Sequence, residues 1–386
     1  MGAVGGGGGR RRDPRPVTAA RIAAACALGV LGCRPSTSGT PESPAARPSA
    51  SLPVAPAPRL DGDAALAAAL AAAPGRIWFA ERAAGGDVRM RSMTPGGDDL
   101  RDEAPADAAY YPGPGRRALA IAVVEGPEGA DHREQLAVRD ATGRWRRVGP
   151  VAGVVRRPSA PPAGDWAVVE TSAASFRDLY RVDLATGAAT RITFDGDGAF
   201  DPDVSPRGDR IAFVSTAGGD GALVAIDPDG GRRASLVDQP GQETTPRWSP
   251  DGTRVAFCGD RDGPERLFVV EVASGQVSRV TGLDAADRHE CDPVWSPDGQ
   301  RIAYLLHHAS GARELWVARV DRGAPPVRVS RAGAAVVTAS WSPDGAFLAY
   351  DEHTPAGRHI EIARADGSAR VRLRAAADRW LPRWRP

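Results

Sequence analysis

Six histidines, four cysteines and 48 acidic residues are the chemically capable groups of this 386-residue chain. His289, Glu290 and Asp292 are near neighbours, His307 and His308 are adjacent, and His353 and Glu243 occupy comparable places in the pattern described below. Imidazole beside carboxylate is a donor set that takes a divalent metal, a small ligand or a basic peptide segment. The plainer reading is a polar loop surface wetted by solvent. No spacing here amounts to a metal motif, so no metal and no cofactor is expected. Catalytic signatures are missing as well. No serine is flanked by glycines as in Gly-x-Ser-x-Gly, and there is no His-Glu-x-x-His, no Walker loop and no Gly-x-Gly-x-x-Gly between strand and helix. Asp195-Gly-Asp197-Gly198 lacks the closing glutamate of a calcium loop and reads as a turn. The expectation is a binding protein without catalytic residues.

The elements that must carry these groups are set by an internal repeat. Trp248-Ser-Pro-Asp-Gly252, Trp295-Ser-Pro-Asp-Gly299 and Trp341-Ser-Pro-Asp-Gly345 are each followed by an apolar run such as Arg254-Val-Ala-Phe257. Weaker copies begin at Val204, Pro162 and Tyr111, and the prolines at 162, 206, 250, 297 and 343 are 44, 44, 47 and 46 residues apart. That period suits one four-stranded propeller blade. The Trp ends strand a, Pro-Asp-Gly makes the turn, and the apolar run is strand b. Trp248, Trp295, Trp341 and Trp384, with the strand-b aromatics, are read as packing between blades. The chain's last residues, Leu381 to Pro386, match strand a, and Pro74 to Phe79 match the rest of a turn plus strand b. One blade is therefore expected to be shared between the two ends. The fold class is an all-β propeller of four-stranded blades closed by N- and C-terminal strands. The count is seven blades, or six if residues 104–150 do not form one.

The repeat assigns the loops to two faces. The b–c and d–a loops carry all six histidines together with Glu243, Glu290 and Asp292. That face is the candidate surface for a partner or ligand. Cys258 ends one strand b and Cys291 begins the strand a of the next blade. A disulfide between them is expected if the chain is exported, provided their Cα atoms lie within ~7 Å. Two separate thiols, or a zinc site with His289, are the rivals.

The Trp-Ser-Pro-Asp-Gly…Ile-Ala-Phe/Tyr pattern resembles the propeller repeat of the TolB family, WD-repeat-like proteins of the bacterial envelope, over roughly residues 75–386. The α/β domain that precedes the propeller in that family has no counterpart in residues 33–74. The resemblance implies a non-catalytic scaffold that binds a protein or peptide. The same repeat also occurs in propellers of prolyl-oligopeptidase-like peptidases, so a degenerate hydrolase-associated propeller is a further alternative.

Ahead of the repeat the chain changes character. Arg10, Arg11, Arg12, Arg15 and Arg21 precede an apolar run, Ile22 to Gly32, that is too short to span a bilayer core of ~30 Å. Cys33 follows in a setting that resembles the bacterial lipobox, although Leu31 departs from its usual small residue, and Cys26 falls inside the leader. Residues 1–32 are thus expected to be a lipoprotein signal, with Cys33 the lipid attachment point. Residues 33–59, rich in Pro, Ser and Ala, read as a disordered linker. Residues 60–386 form the propeller unit, with a short helix over 61–73. The formal net charge is only +1, and five of the cations lie in the leader, which argues against nucleic acid as a partner. The overall expectation is a monomer, exported and tethered by lipid to a membrane facing the periplasm, at the outer membrane by analogy.

Overall fold

The turn chemistry of each repeat dictates its geometry. In a computed structural model, Ser249 Oγ accepts the Arg254 N–H at 3.0 Å and donates to Asp251 Oδ1 at 2.5 Å, and Asp251 Oδ1 accepts the Thr253 N–H at 3.0 Å. Gly252 takes a φ of +71°, which its missing Cβ allows. The Ser296 and Ser342 turns repeat this arrangement. Each turn thereby reverses the chain into a buried strand b.

The structure describes residues 60–61, 64–82, 86–105, 109–112, 119–125, 132–140, 142–149, 155–171, 177–196, 198–237, 240–261, 263–282, 288–373 and 378–386. They all belong to one unit, Ala55–Pro386. Seven antiparallel four-stranded blades form the ring. Blade 1 takes its strand a, Asp378–Arg385, from the C-terminal end and strands b to d, Arg76–Arg82, Val88–Met93 and Arg101–Asp102, from the N-terminal side. Blade 2 consists of Ala109–Pro112, Leu119–Glu125, His132–Arg139 and Trp145–Val148, so residues 104–150 do make a blade and the count is seven. Blades 3 to 7 open with strands a at Val155–Ser159, Ala199–Val204, Glu243–Trp248, Arg288–Trp295 and Val336–Trp341. The leader, Cys33 and most of the linker lie outside the described residues.

Seven apolar clusters fill the seven seams between blades. Each repeat Trp sits in the seam with the preceding blade. Trp248, Trp295 and Trp341 donate Nε1–H to the carbonyls of Asp203, Arg247 and Val294 at 3.1, 2.9 and 3.0 Å. The strand-b arginine straps the next turn: Arg254 and Arg301 donate to the carbonyls of Gly299 and Gly345 at 2.9 Å, while stacking over Trp295 and Trp341. The tryptophans and the strand-b aromatics Phe79, Phe213, Phe257, Tyr304 and Tyr350 are thus seam residues, as expected.

Two local features depart from the expected pattern. Leu60–Asp61 is not the start of the helix but a fifth strand, paired with Leu373 and Arg372 at the outer edge of blade 7. The helix is confined to Ala64–Ala71, where Leu66 and Leu70, one turn apart, bury themselves in the seam of blades 7 and 1. Strand a also bulges in every blade except blade 2. Five bulges precede a proline, and Arg157, Asp201, Thr245, Asp292 and Leu381 there adopt φ between 43° and 54°. Proline has no N–H to give the a–b ladder, so the pairing skips and the side chains are re-aimed. Strands a of neighbouring blades touch one another, which makes them the inner wall of the ring.

Candidate functional site

Four of the six histidines, His289, His307, His308 and His353, lie toward the beginning of a strand a or the end of a strand b, on one rim of the ring, while His132 and His359 lie on strands c. In blade 6, His289 opens strand a and pairs in register with His307 near the end of strand b. The bulge at Asp292 turns its carboxylate to within 3.8 Å of His307 Nε2. Glu265, from the b–c loop of blade 5, places a carboxylate 3.6 Å from His289 Nδ1 and donates its backbone N–H to the same nitrogen at 3.3 Å. His289, Asp292 and His307 keep 50%, 41% and 30% of their side-chain surface open. His308 lies 3.4 Å from Glu314, and His353 is half-buried on blade 7.

The electrostatics tie these groups together. Burial raises the Glu265 carboxyl, opposed by His289 and His307. Burial also works against the Asp292 carboxylate, but the nearby His307 imidazole and the charges of Arg157 and Arg247 hold it below its ordinary value. Burial and Arg358 lower His353, so it favours the neutral form. A cationic or hydrogen-bond-donating side chain arriving at this rim would meet carboxylates and imidazoles already facing solvent.

The other sequence candidates fall elsewhere. Glu243 and Glu290 are 2% and 0% exposed and serve the seams. Glu290 accepts from the Leu267 N–H at 3.1 Å and from the Thr281 hydroxyl. Glu243 faces Arg261 at 3.3 Å. Burial dominates its titration and pushes its carboxyl up to about 7. With the folded value above the ordinary 4.5, its stabilising contribution is complete below 4.5 and is lost as pH rises through about 7. Urea unfolding midpoints should therefore fall between pH 5.5 and 8 in the parent protein. Glu243→Gln should remove about 2 kcal/mol of that fall. Equal slopes in both proteins would refute the burial argument.

Sequence reading passed over one group of the described residues. Glu352 on strand b of blade 7 pairs in register with His359 on strand c, and Glu361 lies two residues further on the same face. These three are the one set of His/Cys/acid side chains among the described residues whose ligand atoms lie within 4.8 Å of one another. Arg331 Nη2 already bridges the two carboxylates, at 3.0 and 2.6 Å. The group is a charge knot in the seam of blades 6 and 7, with a guanidinium where a cation would sit. The in-register alternation of acid and histidine was the available signal. Arg331, from the d–a loop of the neighbouring blade, had none.

No histidine among the described residues is hydrogen-bonded to a serine or cysteine, so no nucleophile–base pair is assembled there. Cys258 and Cys291 are both buried and unbonded, with Sγ atoms 2.6 Å apart.

The TolB β-propeller domain family matches residues 197–386. No curated protein matches the chain. Among solved structures, TolB from Acinetobacter baumannii is 18% identical, covering 83% of this chain and 70% of that one with a TM-score of 0.54. An oligogalacturonate lyase in complex with manganese is 15% identical, covering 78% of this chain and 86% of that one with a TM-score of 0.57. Puromycin hydrolase is 18% identical, covering 77% of this chain but only 53% of that one, with a TM-score of 0.56. At these identities the likenesses establish the propeller fold and nothing finer. No helix among the described residues is long and apolar enough to cross a membrane.

Proposed function

We propose that this chain, a member of the TolB β-propeller domain family over residues 197–386, is an exported, lipid-tethered, non-catalytic scaffold that docks a protein or peptide on the histidine-bearing rim. The supporting observation is the contrast between two sets of carboxylates. Those in the seams, such as Glu81, Glu170, Glu352 and Glu361, are buried and engaged by arginines. Asp292 and His289 on the inner strand, with His307 beside them on strand b, keep 41%, 50% and 30% of their side-chain surface open to a partner. A basic leader, a short apolar run and Cys33 support export and lipidation. The Pro/Ser/Ala-rich linker would give the propeller reach from the membrane. One lipid chain anchors only marginally, so stable tethering needs the multiple chains that lipoprotein modification supplies.

The test is face-specific. A photo-crosslinking residue at position 289 of the anchored protein should capture a discrete envelope partner. The same residue in place of Thr253, exposed on the opposite turns, should not. Asp292→Ala should cut the capture at 289 at least severalfold, and Cys33→Ala should move the protein to the soluble fraction. Equal capture at both positions would defeat the assignment of the rim. The manganese-bound lyase keeps a metal-binding alternative in view. Arg331 within the Glu352–His359–Glu361 group weighs against it.

A further inference from the structure

We propose that Cys258 and Cys291 are a disulfide-forming pair that staples blade 5 to blade 6 at the inner wall of the ring. Cys258 lies near the end of strand b in blade 5 and Cys291 near the start of strand a in blade 6, 33 residues apart in sequence. Their Sγ atoms sit 2.6 Å apart, far inside ordinary contact between unbonded sulfurs and a fraction of an ångström from a covalent bond of about 2.0 Å. The pair is also wedged between the two bulges. Thr245, the bulge residue of blade 5, has its hydroxyl 3.0 Å from Cys258 Sγ and 3.6 Å from Cys291 Sγ. Cys291 directly precedes Asp292, the bulge residue that meets His307. A bond here would hold the rim's most exposed cluster to its neighbouring blade.

The alternatives fit less well. A zinc site with His289 would need that imidazole at the sulfurs, yet its Nδ1 is engaged by Glu265, and these cysteines belong to no group of three ligand atoms among the described residues. Two permanent free thiols would leave the sulfurs closer than dispersion contact allows.

The reaction balances with a small disulfide, R–S–S–R, as oxidant. One protein thiolate attacks it, releasing R–SH and leaving a mixed disulfide. The second thiol, losing its proton, displaces the other R–S⁻, which leaves as R–SH. Two cysteines lose two electrons and two protons, and one small disulfide is reduced. Timing follows from burial. Both side chains are enclosed in the folded ring, and burial together with the neighbouring Cys291 thiol pushes Cys258 well up, away from the reactive thiolate. The bond must form while the blades are still closing, before the seam excludes the oxidant. The pairing rests on the geometry of the two sulfurs. Only the cellular source of oxidant rests on the export reading above.

The experiment refolds the full chain from urea with oxidised and reduced glutathione, traps free thiols with iodoacetamide after denaturation, and maps tryptic peptides by mass. The expected product is a Cys258–Cys291 cross-linked peptide, two hydrogens lighter than its reduced parts. The midpoint of thermal unfolding should lie about 5 °C above that of the Cys258→Ser/Cys291→Ser variant. Chain folded first and exposed to oxidised glutathione afterwards should stay reduced for hours. Uptake of iodoacetamide at both positions after oxidative refolding, or pairing of Cys258 with Cys33 instead, would overturn the proposal. The same mapping on protein recovered from cells separates the two readings. If the cross-link forms in vitro and the cellular protein is fully reduced, the export assignment fails and the pairing stands.

Discussion

Deleting Asp378–Pro386 is expected to abolish cooperative folding. This segment is the inner strand of blade 1, and it alone among the described residues pairs with the inner edge of Arg76–Arg82. Trp380 and Trp384 on it are buried to 1% and 6% exposure. Arg379 Nε reaches Glu81 at 2.6 Å, Trp384 N–H reaches Ser340 Oγ at 2.9 Å, and Trp384 Nε1–H reaches the Pro74 carbonyl at 2.8 Å. Arg385 crosses to the Leu119 carbonyl of blade 2 at 3.0 Å. The strand thus joins blades 7, 1 and 2. Losing one buried tryptophan to alanine costs about 3–5 kcal/mol. Losing two, with the strand's whole ladder, approaches the roughly 5–15 kcal/mol that holds a typical native protein together. It also bares two sheet edges to aggregation. Circular dichroism during a thermal ramp should show no sharp transition, and gel filtration should show expanded or aggregated material. A truncated protein with the parent's midpoint and hydrodynamic radius would refute the closure. Gly75→Ala tests the same junction with one atom. Gly75 has a φ of +86°, and a Cβ there would stand 2.1 Å from the Arg385 carbonyl oxygen, where backbone cannot yield cheaply.

Arg331→Ala is expected to cost about 3 kcal/mol at neutral pH, less than the roughly 3–5 kcal/mol of a fully buried pair at its upper end because the guanidinium is 40% exposed. Glu352 and Glu361 are 8% and 4% exposed and would face each other without their shared cation. Tyr350 Oη–H donates to Glu361 at 2.9 Å, and His359 Nε2 stands 3.5 Å from each carboxylate. Burial opposes ionisation of Glu361, but His359, Tyr350, Arg331 and Arg372 together hold its carboxyl down to about 2. Its contribution is present above the ordinary 4.5 and is lost as pH falls through about 2. Burial opposes the charge on His359 too, yet the two carboxylates beside it raise it above the ordinary 6.5. That contribution is complete below 6.5 and is lost as pH climbs through the raised value. The knot should therefore be strongest between about pH 4.5 and 6.5. The gap between parent and Arg331→Ala should be widest once pH exceeds the raised His359 value, where the imidazole no longer offsets the two carboxylates, and narrowest near pH 4. Urea midpoints at pH 4, 6 and 8 measure this. A pH-independent gap would mean that Arg331 acts through its hydrocarbon stem alone.

The ring was legible in advance because its information is local. Trp-Ser-Pro-Asp-Gly encodes a turn with hydrogen bonds that span six residues, from Ser249 to Arg254, and the apolar runs that follow can only be strands buried on both faces. The spacing of the copies implied the blade, and the match between the two ends of the chain implied how the ring closes. The copy at 104–150 carried the same information in weaker form, because its turn keeps the prolines and glycines of the pattern but not its Trp and Ser. Face assignment was legible too, since strand alternation puts His289, His307, His308 and His353 on one rim whatever the blade count.

What local pattern could not supply was depth and distance across the seams. Glu243 and Glu290 sit beside His289 in the sequence logic, yet they are buried, because a residue at the mouth of strand a points either to solvent or into the neighbouring blade according to the twist and the bulge. Five of the six bulges take their register from a proline, a visible letter, but the direction in which Asp292 is re-aimed depends on the blade beside it. The Arg331 knot and the 2.6 Å approach of Cys258 to Cys291 join residues from separate blades. The sequence by itself determined the repeated strands, their turns and the closing strand, since those follow from hydrogen bonding and burial within about forty-five residues, while the choice of seven blades over six waited on the blade at 104–150. Only the tertiary structure decided which charges meet, which carboxylates stay wet and which sulfurs touch, because those are set by the angle and spacing at which independent blades pack around a common axis.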